Sequence, residues 1–136
     1  MDAEDLEMAE QDSAHLVLVV DDEPDVRELF RLRMRREVRA GIYRLFFAES
    51  GHEALEVLRK NPGIRLILTD LNMPSMDGMQ LLNALSESWP EVQAIVVSAY
   101  GDPTRRDEAR QRGAKGFVVK PVDFPELKEM LGASLN

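Results

Sequence analysis

Two adjacent acids (Asp21 and Asp22), a third acid (Asp70), a hydroxyl (Ser98) and an ammonium (Lys120) each close a short apolar run in this chain of 136 residues. Gathered in one cleft, these groups have a definite chemistry. Three carboxylates repel one another, and their pKa values rise unless a cation joins them. A hard, oxygen-seeking ion such as Mg²⁺ answers that need, taking one or two carboxylates and keeping waters that a phosphate can replace. A carboxylate can also attack phosphorus and form an acyl phosphate. The transferred group then needs positive charge around its oxygens, which Mg²⁺ and Lys120 would supply while the Ser98 hydroxyl donates a hydrogen bond. Taken singly, each residue has a plainer reading. Asp21-Asp22 suits a helix cap, Asp70 suits a turn, and neither Ser98 nor Lys120-Pro121 is a signal alone. Joint placement at four strand ends is what points to a site.

The elements that must position these groups are legible from periodicity. Leu16-Val17-Leu18-Val19-Val20 is wholly apolar and β-branched, as expected of a strand covered on both faces. Asp21-Asp22-Glu23-Pro24 then suits a helix start, with acids at the positive end of the dipole and Pro in the first turn. The next helix places Val26, Leu29, Phe30, Met34 and Val38 at helical spacing, and Ala40-Gly41 ends it. Tyr43 to Ala48 reads as strand two, and Ser50 caps a helix carrying Ala54, Leu55 and Leu58. Pro62-Gly63 breaks the chain before strand three, Leu66 to Thr69, which runs into Asp70. A polar loop leads to a helix with Leu81, Leu82 and Leu85. Strand four is Ala94 to Ser98. A fourth helix, about Pro103 to Arg112, has only Ala109 as an apolar residue besides Pro103. Strand five is Gly116 to Val119, and the last helix carries Phe124, Leu127, Met130 and Leu131. Strands alternating with helices of this length predict a doubly wound α/β domain, a (βα)5 unit with a five-stranded parallel sheet. Ligands of such sheets bind outside the carboxyl ends of the strands, where strand order reverses.

Composition bounds the alternatives. The length suits one domain, expected over residues 16–136. Cysteine is absent, which excludes disulfides, thiolate zinc sites and thiol catalysis. No apolar run approaches about 18 residues, and the acidic start is the opposite of a signal peptide, so the expected location is cytoplasmic, away from membranes. The net charge of −8 is uneven: residues 1–15 hold six acids and no Lys or Arg, leaving 19 acids against 17 bases beyond. Residues 1–15 are therefore expected to form a solvated, disordered leader. A nearly neutral domain is a poor general binder of nucleic acid, and none is expected to bind it directly.

Four blocks together carry a family pattern: Val19-Val20-Asp21-Asp22-Glu23-Pro24, Leu68-Thr69-Asp70-Leu71-Asn72-Met73-Pro74 with Met76-Asp77-Gly78, Val97-Ser98-Ala99-Tyr100-Gly101-Asp102, and Gly113-Ala114-Lys115-Gly116-Phe117-Val118-Val119-Lys120-Pro121. From about Leu16 to Leu135 the chain closely resembles the receiver domain of two-component response regulators. The resemblance implies the flavodoxin-like strand order 2-1-3-4-5. It implies that Asp70 is the phosphoacceptor and also a Mg²⁺ ligand. Asp22 and the backbone carbonyl of Asn72 would ligate Mg²⁺ directly, and Asp21 through water. Asn72 and Tyr100, two residues after Asp70 and Ser98, are placed to tune the lifetime of the phosphorylated state, and the resemblance gives Lys120 and Ser98 contact with the phosphoryl group and makes Ser98 and Phe117 the switch pair. It implies a phosphoryl-accepting signalling domain that catalyses only its own phosphorylation and dephosphorylation, changing the surface around the fourth helix, fifth strand and fifth helix. The phosphodonor would be a histidine kinase or histidine phosphotransfer domain, the output protein is unspecified, and the state is a monomer or phosphorylation-dependent dimer.

The chain also departs from that pattern. The stretch from Arg33 to Phe47 is longer than the family leads one to expect, so the first helix extends or the following loop bulges. The sequence ends where the last helix should, as in a stand-alone receiver or a piece of a larger regulator. The first helix region carries Arg27, Arg31, Arg33, Arg35, Arg36 and Arg39. They suit either phosphodonor docking or a solvated face with helical pairs such as Glu28 with Arg31 and Arg33 with Glu37. Two rival functions are a pseudo-receiver that binds partners without phosphorylation, and a Mg²⁺-dependent aspartyl-phosphate phosphohydrolase. The latter would favour an acid two residues after the nucleophile, where Asn72 stands.

Overall fold

The computed structural model describes residues 13–73 and 76–135. Strands β1 (His15–Val20), β2 (Tyr43–Ala48), β3 (Leu66–Thr69), β4 (Gln93–Ser98) and β5 (Ala114–Val119) form one parallel sheet in the order β2-β1-β3-β4-β5. This is the predicted doubly wound architecture and strand order. The helices are α1 (Pro24–Arg33), α2 (Arg35–Arg39), α3 (Gly51–Lys60), α4 (Gly78–Ser88), α5 (Pro103–Gln111) and α6 (Phe124–Leu135). Of the leader expected over residues 1–15, residues 1–12 lie outside the described residues, and the sheet begins one residue before the expected boundary, with His15 opening β1. Among those described, no helix is long and apolar enough to cross a membrane.

Strand alternation divides the core into two layers. Leu18, Val20, Ile67 and Val96 face Ala54, Leu58, Leu81, Leu82 and Leu85 of α3 and α4. Val17, Val19, Leu68 and Val97 face Phe30 of α1, Met34 at its C-terminal end, and Leu127 and Leu131 of α6. Because both faces are covered, the central strands are apolar along their interiors, and their polar residues (His15, Thr69, Gln93 and Ser98) stand at the ends.

The long stretch after α1 proves to be an extra helical turn. The helix breaks at Met34, whose backbone leaves helical geometry (φ −98°, ψ 3°), and resumes as α2 before Gly41 (φ +76°) turns the chain into β2. Only glycine adopts that left-handed conformation without strain. The break corrects two expectations. Val38 does not continue the buried stripe but is 39% exposed. Glu37 does not pair with Arg33; its carboxylate takes Lys128 of α6 at 2.7 Å, which holds it below the usual carboxylate range against the opposing effect of burial. The predicted Glu28–Arg31 pair forms.

Helix α4 sits directly on the exit of β3. Asp77 caps it reciprocally with Gln80, each side-chain oxygen accepting from the other's N–H at 2.9 Å. Gly78 donates its N–H to the Leu71 carbonyl at 3.0 Å, and a Cβ there would lie 2.3 Å from the Asp70 carbonyl oxygen. Backbone on both sides leaves nothing flexible to yield. Gly78→Ala should therefore destabilise the domain by about 1–3 kcal/mol, the usual cost of overpacking, seen as a lower urea midpoint.

Candidate functional site

Each predicted residue is carried to the same rim by one more rung of the backbone ladder. The Asp21 N–H donates to the Ala48 carbonyl (3.0 Å), that of Asp70 to Val20 (3.0 Å), and that of Lys120 to Ser98 (2.9 Å). The strands thus stay in register until their polar residues emerge. Asp21, Asp70 and Ser98 are buried, at 2%, 6% and 0% exposure. Carboxylate oxygens of Asp21, Asp22, Glu23 and Asp70 all lie within 4.8 Å of one another.

Lys120 reaches back across the sheet into this cluster. Its ammonium donates to Asp21 Oδ2 at 2.8 Å and to Asp70 Oδ2 at 3.3 Å. Burial works against the charge of Lys120, but the hydrogen bond to Asp21 and the charges of Asp21 and Asp70 outweigh it and raise the pKa above the ordinary lysine range. The remaining oxygens of the two buried acids are held by backbone. Asp21 Oδ1 accepts from the Glu23 N–H (2.9 Å), and Asp70 Oδ1 from the N–H groups of Leu71 (2.7 Å) and Asn72 (3.4 Å). Asp22 has no side-chain hydrogen bond or ion pair among the described residues. The Lys120–Pro121 peptide is cis.

The other predicted residues form a second group on the β4–α5 side. Ser98 Oγ accepts from the Tyr100 N–H at 3.3 Å. Tyr100 is 54% exposed, with the Arg105 guanidinium 4.7 Å from its ring centre. Phe117 is half-buried against the α3–α4 layer of the core, and Arg106 lies 5.1 Å over its ring while donating to the Gly101 carbonyl at 2.8 Å. Helix α5 buries only Ala109, so these arginines supply much of its lateral contact. The side chain of Asn72 is exposed at the rim.

Sequence reasoning missed two participants. Glu23 stood in the helix-start motif but was read only as part of a cap, although its carboxylate joins the acidic cluster. Arg27 is one of the six arginines that suit either docking or a solvated face; its guanidinium donates to the Asp21 carbonyl at 2.8 Å and approaches Glu49 at 4.0 Å. Its place one turn into the helix that follows the acid pair was the available signal.

Comparison with known proteins points to one family. A family model described as the response regulator receiver domain matches residues 17–132. The response regulator protein PilR of Pseudomonas aeruginosa is 33% identical over 127 residues, covering 91% of this chain and 27% of that protein. The transcriptional regulatory protein GlrR of Escherichia coli is 37% identical over 123 residues, covering 90% and 26%. The chain thus spans about a quarter of the length of these curated relatives. Among solved structures, the response regulator TrrA of Thermotoga maritima, crystallised in complex with Mg²⁺-BeF, aligns with a TM-score of 0.77 at 31% identity, covering 89% of this chain and 99% of that one. A CheY-like receiver domain protein of Methanospirillum hungatei aligns with a TM-score of 0.78 at 25% identity, covering 89% and 93%.

The raised pKa of Lys120 fixes the sign of a pH effect. A group whose folded pKa lies above its unfolded value stabilises fully below the latter, about 10.4, and ceases to do so as pH rises through the folded value. In urea unfolding, the stability difference between the parent and Lys120→Met should hold constant up to about pH 10 and shift towards the variant above it.

Proposed function

This chain belongs to the response regulator receiver domain family, and on that premise we propose that it is a signalling switch that accepts a phosphoryl group on Asp70. The observation that carries the reading is the Lys120 ammonium spanning Asp21 and Asp70 at the mouth of the sheet. On this reading an Asp70 oxygen forms a bond to phosphorus as the bond from phosphorus to a donor histidine nitrogen breaks. Lys120 then turns from Asp70 towards the phosphoryl oxygens. The phosphodonor is a histidine kinase or histidine phosphotransfer domain. It docks at the groove of about 470 Å³ between α1 and the loop after β5, where Leu29 is left 39% exposed.

The donor set fits Mg²⁺: four carboxylates within 4.8 Å face one ammonium, and hard oxygen ligands with uncompensated negative charge suit that ion. Asp21, Asp22, Asp70 and the backbone carbonyl of Asn72 would hold it, and when bound it supplies positive charge for the phosphoryl oxygens. The Mg²⁺-BeF complex of the TrrA structure supports this assignment. The switch follows from the second group. Ser98 donates its hydroxyl to a phosphoryl oxygen and releases the Tyr100 N–H, and Phe117 turns inward from beneath Arg106. The surface of α5, β5 and α6 thereby changes for an output partner. Tyr100, bulky beside the rim, obstructs the water that hydrolyses the acyl phosphate, and Asn72 helps to orient it.

Exposure to acetyl phosphate with Mg²⁺ should add one phosphoryl group to the intact mass, and Asp70→Asn should abolish the adduct. An unlabelled parent would favour a pseudo-receiver; equal labelling of the variant would move the acceptor elsewhere.

A second outcome separates the two adjacent acids. Both oxygens of Asp21 are engaged by Lys120 and the Glu23 N–H, whereas Asp22 is uncommitted. In calorimetric titration with Mg²⁺, Asp22→Ala should lose about tenfold or more in affinity, roughly 1.4 kcal/mol, and Asp21→Ala less. Equal losses would count against the direct role of Asp22.

A further inference from the structure

Of the thirteen arginines in the chain, nine make a side-chain hydrogen bond, ion pair or ring contact among the described residues. The four that make none are Arg33, Arg35, Arg36 and Arg39. They are consecutive in the list of arginines and line a single concavity of about 530 Å³ with Leu32 and Lys128. Glu37, the acid on the same helix, is already taken by Lys128. Such clustering is costly without an anion, because like charges held together repel. The break at Met34 creates the cluster by adding the turn of α2.

The chain itself brings the complementary charge to this place. Residues 2–12 carry Asp2, Glu4, Asp5, Glu7, Glu10 and Asp12 and no cation. The described residues that follow them lie beside α2: the His15 N–H donates to the Ile42 carbonyl at 2.9 Å, and Ala14 lines a concavity with Val38, Gly41, Tyr43 and Arg44. Val38 belongs to the same five-residue helix as Arg35, Arg36 and Arg39, and a helix is only about 10–12 Å across. The eleven residues 2–12 reach up to about 36–40 Å when extended, more than the width of that helix.

We propose that the acidic segment 2–12 docks on the arginine cluster of α1 and α2, as an intramolecular electrostatic cover. Single exposed ion pairs contribute little, about 0–1 kcal/mol. Six tethered carboxylates facing four unpaired guanidiniums act together at an effective concentration in the millimolar range. Arg33 also lines the groove between α1 and the loop after β5, so the cover extends to the basic edge of that groove and competes with acidic partners there. The concavity lined by the four arginines contains none of the acidic-rim residues, and its occupancy does not depend on Asp70.

The absence of cysteine allows a clean test on the full chain. A nitroxide placed on Ala9→Cys should broaden the amide resonances of Arg33 to Arg39 at about 20 mM salt and release them at about 0.5 M, as screening shortens the reach of charge. The arginine-rich α5, whose arginines are engaged, should be unaffected. Adding Arg35→Ser, Arg36→Ser and Arg39→Ser should remove the broadening at low salt. Broadening that is indifferent to salt and to these substitutions would be tether proximity alone and would overturn the proposal. So would broadening centred elsewhere. Broadening that also appears when spin-labelled chains are mixed with isotope-labelled, unmodified ones would assign the contact to a second copy and overturn it equally.

Discussion

The structure turns on one cation held among acids at the end of a parallel sheet. Asp21 and Asp70 are both buried, on neighbouring strands, and their carboxylates would repel if nothing stood between them. Lys120, fifty residues beyond Asp70, supplies that charge from the far edge of the sheet. Its contact requires β5 to run parallel to β1 and β3 and to end at the same level. The ion pair therefore couples the order of the whole sheet to the chemistry of its rim. With two further acids within 4.8 Å, one ammonium does not neutralise the cluster, and that residual charge suits a divalent cation.

The rest of the fold separates rigid parts from yielding ones. β1, β3 and β4 are buried on both faces, and α4 is wedged against backbone at Gly78, so the acids sit on elements with little room to move. On the other side of the rim, α5 rests on one buried alanine and on arginines that stack over Tyr100 and Phe117. Stacked guanidiniums in partly exposed positions are worth about 0.5–1 kcal/mol each, which is small enough to be exchanged for another arrangement. A stiff acidic rim beside a lightly held helix is the physical basis on which a switch of the proposed kind can work.

Arginine is used in three ways around this frame. Arg27 braces the carbonyl of Asp21, Arg105 and Arg106 cover aromatic rings, and Arg33, Arg35, Arg36 and Arg39 have no side-chain partner among the described residues. Residue type alone does not separate these uses. In the sequence all six arginines of the first helical stretch looked like one solvated or docking face.

What the sequence by itself determined follows from local and periodic signals. Continuous apolar runs ending in polar residues marked the strands and placed Asp21, Asp70, Ser98 and Lys120 at one rim, because a strand buried on both faces can carry its chemistry only at its end. Ser50 as a helix cap and the alternation of strands with helices were equally legible. Tertiary structure alone decided the rest. Whether the helix after Pro24 would run through Met34 or break there depended on packing of Phe30 and Met34 against the sheet and on the Glu37–Lys128 pair, which joins residues ninety-one positions apart. The entry of Glu23 into the acidic cluster and the turn of Arg27 towards Asp21 were set by the same kind of long-range geometry. Periodicity reports which face of an element is apolar; which polar groups meet across elements is a matter of distance, and distance exists only once the chain has folded.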